Sequence, residues 1–153
     1  MRLLTCWLFA PAAVLLLAQS SGVLTVAPLE RAVAKRGATF TGKLTAELRP
    51  GFHVNSNTPA DEYLIPLRLT WTNSPLQVEQ VTYPKPQLET YDFSPKPVSV
   101  FSGTFDVLTK FKVPPSAPPG LATVTGKLRY QACNNKECLA PKTVDVQLPV
   151  NIE

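Results

Sequence analysis

Apolar residues recur at even spacing in four stretches of the chain: Phe40, Leu44, Ala46 and Leu48; Leu67, Leu69 and Trp71; Phe105, Val107, Phe111 and Val113; and Val144, Val146, Leu148 and Val150. Successive strand side chains point to opposite faces, so each stretch predicts a strand with one buried face. Turn-forming residues separate them: Arg49-Pro50-Gly51, Thr72-Asn73-Ser74-Pro75, Pro84-Lys85-Pro86, Ser94-Pro95-Lys96-Pro97, Ser102-Gly103 and Pro114 to Gly120. Short strands punctuated in this way predict an all-β, two-sheet sandwich. Pro66 lacks an N–H for a ladder, so its run is expected at a sheet edge or a bulge. The segment from Pro84 to Pro97 shows little alternation and is expected to be an ordered loop lying over the sandwich rather than a strand.

Composition agrees with this reading. The chain holds 16 Pro and 7 Gly, and frequent Pro works against long helices. Before the first alternating stretch come Met1 and Arg2, an apolar run from Leu3 to Leu17, and the small residues Ala18, Ser20 and Gly22. This order predicts a signal peptide over residues 1–22, cleaved near Ser20 to Gly22; the run is short for a membrane-spanning helix, which needs about 20 residues. The remainder, 23–153, is the size of a single domain with one core.

The net charge is +4, of which only Arg2 falls in the expected signal. Lys and Arg are scattered and do not interleave with aromatics, which argues against nucleic acid and against an anionic membrane surface.

Of the three cysteines, Cys6 lies in the expected signal, leaving Cys133 and Cys138. An even number of cysteines in an exported chain predicts a disulfide between them. They flank a turn built on Asn134-Asn135, between a strand ending near Tyr130 and another beginning near Thr143. Closing so small a ring stabilises a fold less than bridging distant strands would. Exposed or strained disulfides are also the more readily exchanged. Two readings follow from the residues: a static disulfide that pins a hairpin, or an exchangeable pair. Lys136 and Lys142 favour a thiolate and Glu137 opposes it, so charge does not choose between the sulfurs. A metal is not expected, because Cys133, Cys138 and the single histidine, His53, fall short of the four ligands of a structural zinc site. Hydrolysis of the papain kind needs a free Cys beside a His.

Around these residues the sequence resembles the amino-terminal periplasmic domain of the disulfide reductase DsbD. The likeness rests on Tyr130-Gln131-Ala132-Cys133, then Cys138 and Pro141 followed by the alternating last strand, and on Gly51-Phe52-His53-Val54-Asn55 and Tyr91-Asp92-Phe93. It runs from about Val26 to Val150.

The resemblance implies an immunoglobulin-like sandwich carrying a redox-active pair, with no cofactor beyond the two sulfurs. The implied partners are a separate membrane electron carrier, which supplies electrons, and exported thioredoxin-fold proteins such as a disulfide isomerase or a cytochrome c maturation factor. By the same resemblance Cys138 forms the mixed disulfide and Cys133 resolves it. A loop with an aromatic tip caps the pair, Phe93 being the first choice for the tip and Tyr91 the second. His53 and Asn55 stand where family members can place tyrosines near the pair, and Tyr130 and Gln131 flank it in sequence. The expected protein is therefore a periplasmic, monomeric thiol-disulfide oxidoreductase. The rival expectation is a non-enzymatic immunoglobulin-like binding module with a structural disulfide.

Overall fold

The computed structural model describes residues 22–72 and 75–153. Apart from Gly22, the expected signal peptide lies outside the described residues, as do Asn73 and Ser74 of one expected turn. Among the described residues there are twelve strands and no helix: β1 (Leu24–Val26), β2 (Ala32–Ala34), β3 (Thr39–Leu48), β4 (His53–Asn55), β5 (Arg68–Trp71), β6 (Gln77–Thr82), β7 (Gln87–Glu89), β8 (Val98–Ser102), β9 (Thr104–Lys112), β10 (Gly120–Tyr130), β11 (Ala132–Cys133) and β12 (Lys142–Ile152).

The four stretches of even spacing fall on β3, β5, β9 and β12. Three of these, β3, β9 and β12, are central strands, and β5 lies at an edge. In the first sheet, ordered β1-β3-β9-β6, β3 pairs antiparallel with β9 from Thr39↔Lys112 to Glu47↔Thr104. In the second, ordered β2-β12-β10-β5, β12 pairs with β10 along its whole length, and β2 runs parallel to its far end. Leu44, Ala46, Val107 and Phe111 of one sheet and Val124, Leu128, Val146, Leu148 and Val150 of the other are buried in the core. The architecture is an immunoglobulin-like β-sandwich. Pro66 lies just before β5, the edge strand of the second sheet, as its missing N–H requires.

The structure departs from the two-sheet expectation in a third sheet, ordered β11-β4-β8-β7. Its strands run two to five residues, too short to show a period. It includes β7, so the expected loop from Pro84 to Pro97 is in part a strand, paired with β8 from Gln87↔Val100 to Glu89↔Val98. Leu88 of this edge strand is 73% exposed, which removes the inward-facing signal by which sequence patterns reveal strands.

The third sheet is covered on both faces. Val54, Phe101 and Ala132 belong to the main core. The opposite face carries His53, Asn55, Val98 and Val100, all buried, and Leu64, Tyr91 and Phe93 pack against the two valines. A tight turn leads the chain into β4: Phe52 N–H donates to the Arg49 carbonyl at 3.1 Å, and Gly51 has φ +83°. Pro at the second and Gly at the third position suit this turn, whose third residue needs positive φ.

Candidate functional site

Cys133 ends β11, and Cys138 lies directly across from it as an antiparallel bridge pair, with Cα atoms 3.9 Å apart and the two sulfurs joined in a disulfide. The intervening residues form the turn that the asparagines predicted. Asn134 Oδ1 accepts hydrogen bonds from Lys136 N–H at 2.8 Å and Glu137 N–H at 2.9 Å. Asn134 N–H donates to the Glu137 carbonyl at 2.9 Å, and Leu139 N–H to the Ala132 carbonyl at 2.8 Å. A side chain that satisfies the backbone N–H groups of its own turn is what makes Asn a turn former.

The two cysteines differ sharply in access. Cys133 is 0% exposed, whereas Cys138 and its neighbours Asn135, Lys136 and Glu137 are exposed. An incoming thiolate reaches a disulfide through the sulfur it can approach in line, and here the accessible residue is Cys138.

On its other side Cys133 faces His53. Strands β11 and β4 are antiparallel with Cys133↔His53 and Ala132↔Val54 in register. Residues directly opposite in such a pair project from the same face, so His53 and the disulfide share one surface of the third sheet. His53 continues the row to Ser102 on β8. Its ring is 3% exposed and stacks on Tyr91 at 4.1 Å between centroids; Tyr91 in turn stacks on Phe93 at 5.2 Å. The expected loop aromatics therefore gather with His53 in a three-ring cluster, Phe93 lying 6.2 Å from the imidazole as well. Asp92, between the two loop rings, is exposed. The loop is held by Ser94, whose N–H donates to the Tyr91 carbonyl at 3.1 Å and whose hydroxyl donates to the Lys96 carbonyl at 2.8 Å.

Burial lowers the His53 pKa below 6.5, and the Glu89 carboxylate pulls it back up in part. The Tyr91 hydroxyl donates to Glu89, and its pKa is raised strongly, first by burial and then by this bond and the Glu89 charge. Glu89 joins the site from β7, a residue that sequence pattern did not single out, since its strand lacked alternation.

The remaining expected residues divide. Gln131 and Asn55 support the site: Asn55 Nδ2 donates to the Ile65 carbonyl at 3.0 Å and to Gln131 Oε1 at 3.4 Å, and Gln131 Nε2 donates to the Leu139 carbonyl at 3.2 Å. Tyr130 ends β10 as part of the main core. Burial raises its pKa, offset in part by a backbone hydrogen bond with Leu24.

A buried cysteine bonded to an exposed one, at the end of a short sheet and beside a stacked histidine, is a layout suited to thiol exchange. A family model points the same way. Residues 23–149 match the family model described as thiol:disulfide interchange protein DsbD, N-terminal. Among solved structures, the N-terminal periplasmic domain of ScsB from Proteus mirabilis superposes with a TM-score of 0.53 at 16% identity, over 74% of this chain and 42% of that one. The chain thus spans less than half of the ScsB chain it resembles. A chain of a type I cohesin–dockerin complex from Clostridium thermocellum gives a TM-score of 0.48 at 11% identity, covering 86% of this chain and 100% of that one. Comparison with curated proteins gives no match. With the family model covering nearly all of the described domain, the chain belongs to the family of DsbD N-terminal domains.

Proposed function

We propose that the protein is an exported, monomeric thiol-disulfide exchange module. It takes two electrons from a membrane electron carrier and delivers them to thioredoxin-fold proteins in the periplasm. Residues 1–22 serve as the signal peptide and 23–153 as the redox domain. The observation that carries this reading is the difference in access across the disulfide, with Cys138 exposed and Cys133 buried.

In the loading half, a carrier thiolate attacks Cys138 Sγ. The Cys133–Cys138 bond breaks, and Cys133 leaves with the electron pair. A second carrier thiolate attacks the mixed disulfide at the carrier's own sulfur and releases Cys138, so the carrier is oxidised and the domain reduced. In the delivery half, the Cys138 thiolate attacks the partner's disulfide. Cys133 then attacks Cys138 Sγ, expels the partner as a dithiol and restores the domain's disulfide. The ring cluster of Tyr91 and Phe93 beside His53 serves as the cap that keeps small thiols from the pair, with Phe93 at its tip.

Equilibration of the mature domain against glutathione and dithiothreitol buffers, read by thiol alkylation, tests this. A potential between roughly −270 and −120 mV, the range of exchange proteins, is expected. In the Cys133→Ala variant, Cys138 is expected to trap thioredoxin-fold partners as stable mixed disulfides. A potential well below about −300 mV would mark a structural bond and leave a binding module in place of a redox carrier.

A further inference from the structure

Delivery of electrons makes a demand on Cys133 that its surroundings must meet. To resolve the mixed disulfide, Cys133 must attack as a thiolate, yet it is fully buried, and burial in apolar surroundings disfavours a thiolate. The lysines of the hairpin, Lys136 and Lys142, are exposed. On the sheet face that carries the disulfide, the titratable group in cross-strand register with Cys133 is His53. Opposed side chains in an antiparallel pair have Cβ atoms about 4.5–5.5 Å apart, within reach of a sulfur and an imidazole.

His53 carries a second, independent feature. Its Nε2 is buried and has no hydrogen-bond partner among the described residues, although such atoms are nearly always paired. Tyr91 holds the ring by its face, leaving the ring nitrogens at the edge for proton traffic.

Resting on the exchange reading above, we propose that His53 is the base that takes the proton from Cys133 in the resolving step. The Cys133 thiol passes its proton to the imidazole, and the sulfur's electron pair forms the bond to Cys138 Sγ. The bond between Cys138 and the partner's sulfur breaks, and that sulfur leaves as a thiolate and is protonated by solvent. His53 then returns its proton to solvent. In the loading half the leaving Cys133 thiolate takes a proton from solvent through the same imidazole, which ends neutral again. Burial keeps His53 neutral at pH 7, the form a base requires.

The charged and titratable groups around the imidazole come from each element packed against it. Glu89 on β7 acts on it through space and binds the Tyr91 hydroxyl. Tyr91 itself stays protonated, Cys133 stands across on β11, and β8 presents the uncharged Ser102. Asp92 and Lys96 of the loop and Lys136 and Glu137 of the hairpin are exposed.

The test uses the mature domain with Cys138 charged as a mixed disulfide with a small thiol, and follows release of that thiol against pH. Wild type is expected to resolve more slowly as pH falls through the His53 pKa. His53→Gln is expected to be slower at pH 7 by on the order of tenfold or more, below the usual 10²–10⁴ of acid–base catalysis because a thiolate is a good leaving group. It should also lose the inflection. A folded His53→Gln domain with the wild-type rate and profile overturns the proposal. A second measurement needs no variant: the imidazole titration of wild type, followed by NMR, must shift between the oxidised and reduced forms, and identical titrations overturn the proposal too. If the wild-type disulfide resists mild dithiols, the exchange reading itself fails, and this inference with it.

Discussion

Gln131 and Asn55 meet at 3.4 Å, the Gln131 carboxamide oxygen accepting from Asn55 Nδ2, across 76 residues of sequence. The same oxygen accepts from Ile65 N–H at 3.4 Å, and Gln131 Nε2 reaches over the hairpin to the Leu139 carbonyl at 3.2 Å. One side chain thereby ties the cysteine hairpin to β4 and to the segment before β5. It lies just ahead of Cys133, so it fixes where the buried sulfur sits.

Replacing Gln131 with Ala removes these part-buried bonds, while Asn55 Nδ2 keeps its bond to the Ile65 carbonyl, a loss of about 1 kcal/mol. Urea unfolding of Gln131→Ala is expected to show a lower midpoint with an unchanged slope. An unchanged midpoint would mean that water replaces the carboxamide at no cost.

The ring cluster of His53, Tyr91 and Phe93 predicts the behaviour of the pair toward small thiols. Truncation in Phe93→Ala removes the least buried of the three rings and leaves the Tyr91 bond to Glu89 intact. Reduction by dithiothreitol is expected to become several-fold faster, because thiol exchange depends on access to the attacked sulfur. Stopped-flow alkylation measures this directly. A wild-type rate would take the cap role away from Phe93.

The long strands were legible because the core faces them on one side only. In β9, Phe105, Val107 and Phe111 alternate with exposed residues, and that alternation can be read without a structure. The cysteine hairpin was legible for a different reason: Asn134 acts on the N–H groups of its own turn, an interaction local in sequence. The third sheet was not legible. Strands of two to five residues carry no period, and β7 pairs through its backbone while Leu88 faces outward. Nor could the sequence place His53 opposite Cys133. That register depends on how β4 and β11 meet across 80 positions of chain, which tertiary packing decides and local pattern does not.

Gly126, midway along β10, predicts a strict size limit. A Cβ there would lie 2.7 Å from the Thr70 carbonyl oxygen and 2.7 Å from Trp71 Cε3. Trp71 cannot easily yield, since its Nε1–H donates to Thr109 Oγ1 at 3.0 Å and its ring meets Phe111 edge-on at 5.3 Å. In Gly126→Ala, β5 must therefore move off β10 or the indole must leave its place. Overpacking of this kind costs about 1–3 kcal/mol. Thermal unfolding should show a lower Tm, and amide exchange should quicken in β5, which sits at the sheet edge. A wild-type Tm would mean that the edge strand shifts freely.

The buried imidazole also ties stability to pH. His53 is the single histidine of the chain, and its folded pKa lies below 6.5 because burial outweighs the pull of Glu89. As pH falls through 6.5, the unfolded chain takes up a proton that the folded chain still refuses. The unfolded state then binds more protons, so the unfolding free energy falls with acidification. The contribution is complete above 6.5, declines below it, and levels off once pH passes under the folded pKa. His53→Phe keeps a flat ring for Tyr91 to stack on and removes the titration. Urea unfolding at a series of pH values should show wild type losing stability relative to His53→Phe between 6.5 and the folded pKa. Parallel curves through that window would show that the imidazole exchanges its proton as freely in the folded domain as in the unfolded chain.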